Sequence, residues 1–205
     1  MGPNVLARLP FTVIFVAIMV LANAAAGTLG GVLPDGALSD WGISHQSVRE
    51  GEVHRLFTGT FLSHDLGMFL RQLVFAAAVI GLYEWTEGTR RAVIMFLAID
   101  LAGTLLVLFG VLPALVAMHP EMDGTALSVL DVGMSAGGFG LIGALAAQRP
   151  RRWFYLVIIC LAIGIKVWIS FDAIADSAHL LCLFLGFAAQ GAVDARARKR
   201  DVAQG

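Results

Sequence analysis

Charge is scarce in this chain. Only 14% of its 205 residues are Asp, Glu, Lys or Arg, where soluble domains carry roughly a quarter, and the formal net charge is -1. The few charges gather into no basic face, which excludes the electrostatic footprint of a nucleic-acid-binding protein. Cysteine is nearly absent as well. Cys160 and Cys182 both fall inside apolar runs, where a small thiol packs and a disulfide framework has no role. No inverted repeat and no pair of broken apolar segments is visible, which argues against a transporter, the class that isolated charges such as Arg71, Asp100 and Lys166 would otherwise suggest. No metal or cofactor is expected.

What the chain has in excess is apolar surface. Hydrophobic residues make up 58% and the mean hydropathy is +0.81, so lipid is the expected solvent for most of it. A spanning helix needs about 20 mainly apolar residues, because the hydrocarbon core is about 30 Å thick. Such runs lie at 11–30, 66–83, 92–112, 133–147, 153–170 and 173–193. The expected fold is all-α: one polytopic membrane domain with six transmembrane helices, ending in a basic tail over 194–205. The first run follows Arg8 as a secretory signal would, but it is longer than the usual 7–15-residue apolar core and is read as a span.

Orientation follows the basic residues, since cytoplasmic loops carry the excess of Lys and Arg. Arg8, then Arg90 and Arg91, then Arg149, Arg151 and Arg152, then the tail from Arg196 to Arg200 alternate with loops that hold mainly Asp, Glu and His. Both termini are therefore expected in the cytoplasm, with the loops at 31–65, 113–132 and 171–175 facing outward. Twelve of the fourteen basic residues are Arg, and Ala and Gly abound, as in proteins of GC-rich bacterial genomes. The expected location is a bacterial inner membrane. The first outer loop is long and mixes Trp41, Val48, Leu56, Phe57 and Phe61 with polar residues, the composition of a segment that carries function or lies on the membrane interface.

The fourth run opens Gly133-Met134-Ser135-Ala136-Gly137-Gly138-Phe139-Gly140-Leu141-Ile142-Gly143-Ala144. Its glycines make a smooth face for close helix packing, with Ser135 either bonded to its own backbone or free for chemistry. Two runs later comes Asp176-Ser177-Ala178-His179, with Ala178, Cys182 and Gly186 four residues apart on one stripe. An ionisable residue inside a span is a functional candidate by default. Ser135 and His179 share the same depth, within two turns of the outward end of their helices. Nucleophilic catalysis needs a hydroxyl about 2.6–3.2 Å from a base. The helix start at Ser135 adds unpaired N–H groups and a positive dipole end that suit a developing oxyanion. Asp176, three residues before His179, either orients the imidazole or caps the last span.

These residues resemble the rhomboid family, whose members carry Gly-x-Ser-Gly followed by a Phe-Gly-Leu-Leu-Gly-Ala-like helix, and Ala-His-x-x-Gly-x-x-x-Gly in the sixth core span. Gly133, Ser135, Phe139, Gly140, Leu141, Gly143 and Ala144 match the first pattern; Ala178, His179 and Gly186 match the second. Upstream, Glu52-Val53-His54-Arg55 resembles the family's Glu-x-Trp-Arg loop, and Gly81 to Glu84 resembles the close of its second span, so the likeness covers about 50–200. It implies a rhomboid-like six-helix bundle in which Ser135 is the nucleophile and His179 the general base of an intramembrane serine endopeptidase. The implied partners are the lipid bilayer and single-span membrane proteins as substrates. Ala136 replaces the glycine after the serine, Cys182 replaces a glycine of the histidine helix, and an ungapped alignment sets Met68 and Gln72 where many rhomboids carry a His and an oxyanion-binding Asn. Gln72 can donate from its amide, and Gly133 and Met134 would support the same oxyanion. Those replacements leave a second reading open, a non-catalytic rhomboid-like protein that binds or escorts membrane clients. His64, in the loop before the second span, is expected at the surface and reaches the site only if that loop folds inward.

Three other polar residues need an account. Arg71 must snorkel, pair or face a cavity, and an Arg71 to Asp100 pair is one solution; Lys166 is expected to snorkel to the outer interface.

Overall fold

In lipid a spanning segment must close its backbone hydrogen bonds internally, and the chain does this almost throughout. A computed structural model of the chain describes residues 5–119 and 124–204. Its main helices are α1 (Pro10–Ala26), the short α2 (Asp35–Trp41), α3 (His45–Arg49) and α4 (Arg55–Thr58), then α5 (Leu66–Glu87), α6 (Thr89–Met118), α7 (Ser135–Ala147), α8 (Arg152–Ile169) and α9 (Ala173–Gln204). The β pairings among the described residues are two isolated bridges, Val32 with Asp65 and Ile43 with Asp131. The first joins the two ends of the 31–65 segment, and the second ties that segment to the stretch leading into Ser135.

Four helices are long and apolar enough to cross a membrane: α5, α6, α8 and the Ala173–Ala197 part of α9. The other two expected spans, α1 with 17 residues and α7 with 13, are shorter apolar helices. Several boundaries differ from expectation for local reasons. Helix α1 stops at Ala26 rather than near residue 30 because Gly27 turns left-handed (φ 88°) and caps it. Helix α6 runs past the expected end at 112 and through Pro113. A π-helical turn at Val107–Val111 directly precedes the proline, and that register change accommodates a residue lacking an N–H. Helix α9 continues through the expected tail to Gln204, since Ala, Arg and Lys are strong helix formers. Residues 120–123 of the expected 113–132 loop and residue 205 of the tail lie outside the described residues.

Helix α7 is the centre of the bundle: ten of its thirteen residues are buried. Its glycines make this possible. A Cβ on Gly143 would run into the Leu183 carbonyl, one on Gly186 into the Gly140 carbonyl, one on Gly140 into Ile99, and one on Gly137 into the Phe96 ring. Helices α7 and α9 thus run parallel, backbone against backbone, with α6 across their other side. Helix α8 is the opposite case, burying only Leu156 and Ile163 of its 18 residues.

Buried polar groups staple the rest. Glu84 of α5 accepts from the Phe11 and Thr12 N–H groups (2.9 and 2.8 Å) and the Thr12 hydroxyl (2.7 Å), so a carboxylate from one helix caps the start of another. Tyr83 donates to Gln190 at 2.7 Å, joining α5 to α9. Asn23 of α1 donates to the Phe61 carbonyl and accepts from the Ser63 N–H, fixing the loop that leads into α5. Arg55 donates to the Ser39 and Gly42 carbonyls and pairs with Glu52, so the Glu52 to Arg55 motif staples the 31–65 segment to itself.

Candidate functional site

Ser135 is the first residue of α7, and the cap residue before it, the fully buried Met134, offers no side-chain oxygen. A helix start has four N–H groups to satisfy. Here Gly138 donates to the Met134 carbonyl at 3.1 Å, and Gly137 donates to the Asp100 carboxylate of α6 at 2.8 Å. The N–H groups of Ser135 and Ala136 have no partner among the described residues. Asp100 also accepts from the Thr60 hydroxyl at 2.9 Å. It is therefore satisfied by the loop and by α7, and the Arg71 pairing does not form. Arg71 is exposed, with Nη1 3.4 Å from where a Cβ on Gly67 would stand, so it snorkels back along α5.

Gly133 adopts φ +134°, which excludes an ordinary side chain, and its N–H donates to the Gly59 carbonyl at 2.8 Å. A Cβ there would lie 2.5 Å from Gln72 Nε2 and 2.9 Å from Met68 Cε. The two α5 residues aligned with the family's His and Asn therefore both abut the residue two before Ser135. Gln72 Oε1 accepts from Ser63 at 2.7 Å, which turns Nε2 toward Gly133, and Nε2 makes no hydrogen bond among the described residues. Ser135 borders a cavity of about 30 Å³ together with Thr60, Asp131, Gly133, Ala136 and Ala178. At about 10–15 Å³ per water, it has room for roughly two.

His179, on α9, stacks on Phe139 of α7, with ring centroids 4.1 Å apart and planes 21° from parallel. Phe139 lies four residues after Ser135, hence on the same face of α7. The Nε2 of His179 is buried without a hydrogen-bond partner among the described residues. No hydrogen bond joins it to Ser135 among the described residues, and the two side chains border different cavities, His179 the one toward α8. Asp172 caps α9, accepting from Ile174 and Ala175 at 3.0 and 2.9 Å, and Asp176 closes that cap by accepting the Asp172 N–H at 2.8 Å. Asp176 also accepts from Lys166 at 2.6 Å, which corrects the expectation of a snorkelling lysine, and its Oδ1 lies 4.0 Å from His179 Nδ1.

His64 lies at the surface, as expected, but beside the site. The imidazole is 39% exposed and its Nε2 lies 3.3 Å from Asp131, a residue bordering the Ser135 cavity. The Asp131 hydrogen bond raises the His64 pKa above its ordinary value, against a smaller opposing effect of burial.

The rhomboid-like protein family profile matches residues 4–199. The chain belongs to the rhomboid-like family. It is accordingly a multi-pass membrane protein of rhomboid type. No curated protein matches it. Sequence reasoning about this rhomboid-like protein passed over Thr60, Asp131 and the stacking role of Phe139. The signal for Asp100 was present: a carboxylate buried in a span needs donors, and the nearest surplus of donors in a helical protein is another helix's first turn.

Proposed function

We propose that this rhomboid-like protein is an intramembrane serine endopeptidase that cuts single-span membrane proteins in or beside their membrane segment. The observation that carries the reading is the imidazole of His179, held flat on Phe139 one turn from Ser135, with a buried and unpartnered Nε2. Leaving a buried polar atom unpaired costs about 1–3 kcal/mol, a cost that a hydroxyl arriving at Nε2 removes. Hydrogen bonds between catalytic groups often tighten only when substrate binds.

In this reading Ser135 Oγ attacks the scissile carbonyl carbon while its proton passes to His179 Nε2. The oxyanion is met by the Ser135 N–H and by the Gln72 amide beside Gly133, both without a partner among the described residues. His179 then protonates the departing amine, the C–N bond breaks, and an acyl ester remains on Ser135. Water from the cavity, deprotonated by His179, hydrolyses the ester. At 1.5 Å per residue α7 is about 20 Å long against a core of about 30 Å, so its start lies sunk below the membrane surface, within reach of water. All six apolar helices cross the bilayer, the Ser135 end faces outward, and both termini are cytoplasmic in a bacterial inner membrane, as the alternation of Arg-rich loops supports.

Reaction of Ser135 with a fluorophosphonate probe tests this without a known client. Wild type labels, Ser135→Ala does not, and His179→Ala labels at least about a hundredfold more slowly, the low end of general-base contributions. Cleavage of a single-span test protein by Ser135→Ala would sink the proposal. The missing hydrogen bond between Ser135 and His179 favours the second reading, a client-binding protein without catalysis. That reading requires client capture that survives both Ser135→Ala and His179→Ala, and no proteolysis by wild type.

A further inference from the structure

The carboxylate of Asp176 has more claimants than it can serve. Oδ1 takes the Lys166 ammonium at 2.6 Å and Oδ2 takes the Asp172 N–H at 2.8 Å, while His179 Nδ1 waits 4.0 Å from Oδ1. Asp176 is almost wholly buried, 3% exposed in its side chain, whereas Lys166 is 47% exposed. A neutral imidazole carries one proton, and the partner of one nitrogen decides which nitrogen holds it. A base that acts through Nε2 must keep that proton on Nδ1. Among the described residues Asp176 is the acceptor within reach of Nδ1, and Nε2 has none.

Lys166 sits on α8, the least buried of the four helices long enough to span a membrane, and it borders a largely apolar cavity of about 220 Å³ with Phe139, Ile159, Ile163, Asp176 and His179. The ion pair is thus a polar tie between α8 and α9, and both of its residues line the cavity beside the imidazole.

We propose that Asp176 is a positioning residue that fixes the Nδ1–H tautomer of His179, and that Lys166 withholds its carboxylate from the ring until an apolar client segment enters the cavity beside α8 and displaces the lysine. The proposal rests on the peptidase reading above. The lysine then relocates to the membrane interface, within reach of its long stem, and Oδ1 turns to Nδ1–H. During acylation Nδ1 keeps its proton, Nε2 gains that of Ser135, and the carboxylate steadies the imidazolium without taking a proton from it. Cleavage is in this way coupled to occupation of the client site.

The experiment uses the full chain in liposomes with ¹⁵N-labelled histidine. The chain has 5 histidines, and the ring signals lost in His179→Ala identify those of residue 179. Ring ¹⁵N shifts report the tautomer, and fluorophosphonate labelling of Ser135 reports reactivity. Lys166→Gln should raise the Nδ1–H fraction and speed labelling severalfold. Asp176→Asn should lower that fraction and slow labelling at least tenfold, and Asp176→Glu should restore part of both, which also shows that the site still folds. A tautomer population indifferent to Asp176→Asn, or a Lys166→Gln variant slowed as Asp176→Asn is, would reduce the pair to a structural staple and overturn the proposal while the peptidase reading stands. Absence of Ser135 labelling in wild type overturns the peptidase reading and this role with it.

Discussion

Asp100 of α6 accepts a 2.8 Å hydrogen bond from the backbone N–H of Gly137, in the first turn of the helix that Ser135 begins. The cap that the sequence of α7 does not supply comes from another helix. Because Asp100 also holds Thr60, one carboxylate sets the spacing between the loop at Gly59–Phe61 and the start of α7.

Asp100→Ala leaves the Gly137 N–H and the Thr60 hydroxyl buried without their acceptor. A loss of about 1–3 kcal/mol per unsatisfied group is expected, together with slower probe labelling of Ser135. Asp100→Asn keeps an acceptor for Gly137 and should retain most of both. Thermal unfolding in detergent and labelling rates measured on the same samples check this; equal behaviour of the two variants would refute it.

The backbone contact between α7 and α9 predicts a sharp contrast among glycines. Gly186→Ala and Gly143→Ala put a methyl group against a carbonyl of the facing helix, and overpacking of this kind costs typically 1–3 kcal/mol, here without a flexible side chain to give way. Gly110→Ala and Gly164→Ala meet nothing within 4 Å and should leave thermal stability unchanged or slightly raised.

Much of this was legible in the sequence, for reasons that particular residues make plain. The small-residue stripes do direct the packing, because absence of side-chain bulk is itself the packing instruction: Gly140 meets Gly186 and Gly143 meets the α9 backbone, while Gly137 and Cys182 face Phe96 and Gly103 of α6 instead. The alignment of Met68 and Gln72 with the site also has its counterpart, since both side chains press on Gly133. What could not be read was partner choice. Asp100, Lys166 and Asp176 each need a counter-group, but which one depends on helix rotation and depth, and one residue of register decides between Arg71 and the Gly137 N–H. Helix ends were misjudged where a backbone device intervened, the left-handed Gly27 and the π turn before Pro113. The distance between Ser135 and His179 depends on side-chain rotamers, which no motif encodes.

Phe139 predicts a graded series. Phe139→Ala removes the ring on which His179 rests, and aromatic pairs are worth about 0.5–1.5 kcal/mol beyond burial, so Ser135 labelling should slow on the order of tenfold. Phe139→Tyr keeps the platform and should label at close to the wild-type rate. Alanine that labels as fast as tyrosine would show the stack to be incidental to reactivity.

The His64 to Asp131 contact carries a pH dependence of definite sign. Because the folded pKa of His64 lies above its unfolded value of about 6.5, the stabilisation is fully present below that value and is lost as pH rises through the folded pKa. Asp65 and Asp172 add smaller pulls in the same direction as Asp131. Amide exchange in the segment from Gly59 to Asp65 should therefore quicken as pH rises above the mid-sixes by more than the intrinsic chemical rate does. His64→Gln should remove that extra dependence, and a wild-type profile identical to that of His64→Gln would count against it.

The shortness of α7 bears on how the protein is made. A nascent chain that has reached Ala147 but not yet synthesised Ala173–Gln204 carries a glycine-lined segment of 13 residues, with the close-packing face that α9 later covers still open. Until α9 follows, its first turn is held by Asp100 of α6, synthesised earlier. The packing of α7 on which Ser135 and His179 both depend is thus complete only once Ala173–Gln204 has been made.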